Sequence, residues 1–89
     1  MENLKKFDTL LKIKSLLPKK YYNTDLFYCK LSEKTFLKVH EKKFDLLIDI
    51  NKETVFLEIV TGKGRFFENH KFSFDYIIIQ VNNFITKNL

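Results

Sequence analysis

The chain has 89 residues, 45% of them hydrophobic and 16% aromatic, which supplies one core and excludes a disordered or multidomain protein. One cysteine, Cys29, excludes an internal disulfide, and an apolar run such as residues 76–79 is far too short to cross a bilayer; the expected setting is the reducing cytoplasm. The formal charge of +5 (pI 9.3) is concentrated at one end, where residues 1–20 carry six lysines against Glu2 and Asp8.

Residues 2–17 have helical spacing. Leu4, Phe7 and Leu11 recur every three or four positions, with Leu10 and Leu17 one strip over and lysines between them. Pro18 lacks the N–H that a helix interior needs and restrains Leu17, so the helix should stop there. Lys19, Lys20, Tyr21 and Tyr22 follow as a basic, aromatic loop of the kind that can stack a base. Residues 25–31 and 35–40 are aromatic and β-branched, separated by Ser32, Glu33 and Lys34, and read as two short strands. Cys29 falls in the first of them and reads as buried filler.

Residues 43–60 form the clearest local unit. Phe44, Leu46, Ile48 and Ile50 alternate onto one face, as do Val55, Leu57 and Ile59, so this is a hairpin with one dry face. With Asn51 and Lys52 as a two-residue turn, Ile50 faces Glu53. Asp45 then faces Glu58 and Lys43 faces Val60 on the opposite face. Acids directly opposite each other sit about 4.5–5.5 Å apart and repel, unless they are solvated or hold a divalent cation. That second face also carries Leu47, Phe56 and Val60, which implies partial cover by a helix. Gly62, Lys63 and Gly64 lack the spacing of a phosphate-binding loop. Residues 65–75 suit a helix better than a strand, with His70 as a polar cap, and residues 76–81 read as a buried strand. His40, His70 and Cys29 have no zinc-ligand spacing.

The expected class is therefore α+β, three-layer-like and within a single domain over residues 1–89. It has an N-terminal helix, a small mixed sheet of four to five strands around the central hairpin, a second helix near 65–74 and a final strand at 76–81.

The segment Phe44-Asp45, then Glu58-Ile59-Val60-Thr61-Gly62-Lys63-Gly64-Arg65 and Asn69-His70, resembles the core of the PD-(D/E)xK nuclease superfamily. The nearest likeness is to its virus-type replication–repair and Holliday-junction-resolvase-like members, over about a third of the chain. The resemblance implies a helix, three strands, a helix and a strand, with Asp45 and Glu58 on Mg²⁺ or Mn²⁺ as the catalytic acids. The motif lysine is replaced by Val60, and Phe44 stands where the family has proline. Loss of that lysine favours a non-catalytic relative over an active endonuclease. An active enzyme would need Lys43 or Lys63 in its place and would act as a dimer. The binding surface would then be Lys5, Lys6, Lys12, Lys14, Lys19, Lys20, Tyr21, Tyr22 and Arg65, facing nucleic acid or a nucleic-acid-handling protein. Arg65 is the only arginine, so bidentate phosphate reading is thinly supplied. Size and composition suit a phage or mobile-element accessory protein, including an inhibitor of a defence nuclease.

Overall fold

The computed structural model describes residues 2–21 and 23–89, with side chains from Lys5 onward; Tyr22, assigned above to the aromatic loop, lies outside the described residues. The order is helix α1 (Glu2–Leu16), strands β1 (Thr24–Cys29), β2 (Lys34–His40), β3 (Phe44–Asn51), β4 (Thr54–Thr61) and β5 (Gly64–Lys71), then helix α2 (Ile77–Asn88). The class is α+β. The five strands make one antiparallel sheet in sequence order, and both helices lie on its inner face, so the chain forms two layers.

Helix α1 ends ahead of Pro18 as its chemistry requires, with the Leu17 N–H closing on the Ile13 carbonyl at 3.1 Å. Its buried stripe is Leu10, Ile13 and Leu17. Phe7 and Leu11 lie on the flank and stay partly exposed, which corrects the strip chosen from spacing alone. Two apolar strips adjoin on this helix, and only one can face the sheet.

The inner sheet face is apolar across its centre. Leu37 and Val39, Leu46 and Ile48, then Leu57 and Ile59 pair across neighbouring strands, and all are buried beneath the helices. A fully buried Leu or Ile contributes about 1.5–3 kcal/mol relative to exposure.

The central hairpin keeps the expected faces but not the expected partners. Its turn is Lys52 and Glu53, so Asn51 faces Thr54, Ile50 faces Val55, Leu47 faces Glu58 and Asp45 faces Val60. Lys52 takes the left-handed backbone conformation (φ 56°) that the turn needs. The two-residue slip leaves every side chain on its own face, because strand side chains alternate with period two. It also sets Ile50 against Val55 in place of Glu53, which favours the observed pairing.

After β4 the elements differ from expectation. Residues 64–71 form a strand across a two-residue turn at Gly62 and Lys63, not a helix, and residues 77–88 form a helix, not a strand. In β5, Phe66, Glu68 and His70 alternate with Arg65, Phe67 and Asn69. The buried positions of α2 are Ile77, Val81, Phe84 and Ile85, a helical spacing that a β-branched run of isoleucines masks. Among the described residues, no helix is long and apolar enough to cross a membrane.

Candidate functional site

The outer sheet face carries the residues of chemical interest, and neither helix covers it. Leu47, Phe56 and Val60 are instead half-buried among their neighbours on the face, which removes the reason to expect a helix there. From the strand registers, Asp25, Lys38, Leu47, Glu58 and Phe67 form one row across it, and His40, Asp45, Val60 and Arg65 form another.

Each central acid on this face has its own side-chain partner. The His40 imidazole donates from Nδ1 to Asp45 Oδ1 at 2.5 Å, across the β2–β3 pair. The Arg65 Nε donates to Glu58 Oε2 at 2.9 Å, diagonally across β4 and β5. Lys6 Nζ lies 2.7 Å from Asp49 Oδ1. Asp45 and Glu58 share the face as diagonal neighbours, about 7–8 Å apart by strand geometry, and do not face each other. Lys43 lies just before β3 and Lys63 in the β4–β5 turn, both exposed. Among the described residues, no group of three or more His, Cys, Asp or Glu side chains is placed to hold a metal ion.

The Lys6–Asp49 contact depends on a parting of the sheet. β1 and β2 stay paired out to Cys29 and Lys34, whereas the β2–β3 ladder ends at Leu37 and Ile48. Beyond that end, the Asp49 carboxylate accepts the Ile50 N–H at 2.8 Å. Lys6 belongs to the sheet-facing stripe of α1, one turn before Leu10, and its ammonium emerges where the strands separate. The result is an open groove of about 1000 Å³, lined by Lys5 and Lys6 from α1, Lys34 and Phe36 from β2, and Phe56, Arg65, Phe67 and Asn69 from β4 and β5.

Aromatic rings occupy both sides of this surface. Phe27 and Phe36 face each other across β1 and β2, nearly parallel, with ring centroids 6.2 Å apart. Lys38 Nζ lies 5.6 Å from the Phe27 ring. Phe67 stands largely exposed on β5. Of Phe27, Phe36, Phe56, Phe67, Lys34 and Lys38, only Phe56 is legible in the sequence, on the second face of the hairpin; the others join it only once the four strand registers are known.

The basic set expected from the sequence is divided. Lys5, Lys6 and Arg65 reach the groove. Lys12 Nζ sits 4.2 Å above the ring of Phe74, in the connection between β5 and α2; Lys14 is exposed on α1, and Lys19 and Lys20 lie in the loop beyond it. Tyr21 packs against the core, with its hydroxyl 3.5 Å from the Asn82 side-chain oxygen. His70 caps no helix; it donates from Nε2 to Glu68 Oε1 at 2.6 Å on the inner side of β5. Cys29 is only partly buried, at the outer end of β1, and hydrogen bonds from the Ser32 side chain and backbone draw its thiol below the ordinary range.

The chain matches no family model, no curated protein and no solved structure. The likeness to the PD-(D/E)xK core therefore rests on the local sequence alone. The strand β5 also occupies the place where that likeness implies a helix.

Proposed function

We propose that the protein is a non-catalytic binding module whose outer sheet face takes single-stranded nucleic acid. The observation that carries the reading is an uncovered sheet face with Phe27, Phe36, Phe56 and Phe67 exposed or half-exposed among Lys5, Lys34, Lys38 and Arg65. Bases offer a π-face to such rings whatever their sequence, and stacking contributes about 1–3 kcal/mol per base. Lys6 and Arg65 each pair with an acid at the centre and His40 hydrogen-bonds Asp45, so lysines at the rim dominate the field that a phosphate backbone would meet. The same separate pairing argues against Asp45 and Glu58 acting as a shared Mg²⁺ or Mn²⁺ site.

Fluorescence anisotropy with labelled single strands and duplexes tests this. Single strands should bind more tightly than duplex. Phe67→Ala should weaken binding about five- to a hundredfold, and Lys34→Ala should lower the salt slope by about 0.7. Absence of binding, or binding indifferent to these variants, overturns the reading. Strand cleavage with Mg²⁺ or Mn²⁺ that disappears in Asp45→Ala and Glu58→Ala would replace it with the nuclease.

A further inference from the structure

We propose that two copies of the chain pair through their β1 edges, antiparallel about a two-fold axis at Phe27, joining both sheets into one. The inference shares Phe27 with the outer face, but its test is the oligomeric state, which does not depend on what that face binds.

The two free edges of the sheet are built differently. β5 carries Arg65, Glu68, His70 and Lys71, and Lys87 of α2 approaches Glu68 at 3.6 Å. Charges of this kind discourage strand pairing at an edge. The sequence of β1, TDLFYC, has one charge, Asp25, which already lies beside Lys38 of its own sheet.

Backbone phase fits addition of a strand. The His40 N–H donates to the Asn23 carbonyl at 2.8 Å, which sets the alternation of the β1–β2 ladder. By that alternation the backbone groups of Asp25 and Phe27 turn toward β2, and those of Leu26 and Tyr28 turn outward. In a pair centred on Phe27, Leu26 exchanges hydrogen bonds with Tyr28 of the second copy. Asp25 then faces Cys29 and not another Asp25, so no like charges meet.

Apolar surface collects at the same edge. Helix α1 packs on β1 as well as on β2 and β3, and Phe7 and Leu11 lie on its flank opposite Lys12, whose ammonium meets the Phe74 ring. Phe7 is 43% exposed, Leu11 39%, Phe27 44%, Tyr28 62% and Leu31, in the turn after β1, 100%. At about 150–250 Å² per aromatic side chain, these five leave roughly 500 Å² per copy, to which the strand backbone adds. A specific interface buries about 600–1000 Å² per partner, so the edge suffices for a dimer when a second copy brings the same patch.

Sedimentation equilibrium of the full chain should give a dimer that dissociates in the micromolar range. Phe27→Asp sets two carboxylates against each other on the axis and should weaken association about a hundredfold or more. Tyr28→Lys, at an exposed side chain, should do likewise with an unchanged circular dichroism spectrum. Phe27→Cys with Cys29→Ser should cross-link to a covalent dimer under mild oxidation, because facing residues in that register are close enough for a disulfide. A monomer at all concentrations overturns the proposal. So does a dimer that survives Phe27→Asp and Tyr28→Lys, or a dimer in which Phe27→Cys does not cross-link.

Discussion

Lys6 passes from the sheet-facing stripe of α1 to Asp49 on the outer face, with 2.7 Å between Nζ and Oδ1. Both side chains are about a quarter exposed, so solvent screens part of the attraction. A double-mutant cycle of Lys6→Ala and Asp49→Ala in urea should give a coupling of about 0.5–1 kcal/mol that shrinks with salt. Asp49→Ala alone should cost about 1 kcal/mol more than Lys6→Ala, because it also strips the Ile50 N–H of its acceptor. Equal costs for the two would mean that the backbone hydrogen bond does not matter.

The hairpin register predicts which cysteine pairs close. In a Cys29→Ser background, Asp45→Cys with Val60→Cys should form a cross-strand disulfide. Asp45→Cys with Glu58→Cys should not, since a diagonal pair is about 7–8 Å apart and a disulfide needs less. Mass spectrometry after mild oxidation decides between them; the reverse result would restore the acids to facing positions.

Helix α2 makes its own forecast. Ile77 is buried and Ile79 is 57% exposed, two residues that a strand would place on one face. Ile77→Ala should therefore destabilise by about 2–5 kcal/mol and Ile79→Ala by about 0.5 kcal/mol or less, read from denaturant midpoints.

Divalent cations should leave the melting temperature where it is, since Asp45 and Glu58 are engaged separately, by His40 and by Arg65. A rise with Mg²⁺ or Mn²⁺ that Asp45→Asn and Glu58→Gln both remove would show a shared ion.

The faces of the central hairpin are legible in the sequence because alternation survives any two-residue slip. The partners are not, because the same slip is invisible to alternation. Only the clash of Ile50 with Glu53 in the shorter register, and relief against Val55, separates the two. In residues 65–75 the aromatic spacing satisfies both periods, and the two-residue turn that extends the sheet decides for a strand. Ile77, Ile78 and Ile79 have the composition of a strand, but Val81, Phe84 and Ile85 complete a helical stripe that the shorter window misses. The outer face, with Phe36 from one hairpin and Phe67 from another, is a product of four registers, so no local pattern announces the whole of it.

The order of the strands has a kinetic side. Each ladder of the sheet joins neighbours in sequence, and the connections between strands run to four residues at most. Closing such short loops costs little chain entropy, and contacts of low sequence separation form quickly. The five strands can therefore assemble by successive zippering from any hairpin, without first bringing the chain ends together. What must wait is the docking of α1 and α2, drawn from opposite ends of the chain onto the finished inner face. Until then that face is exposed to water, and folding should be most vulnerable to aggregation in this interval.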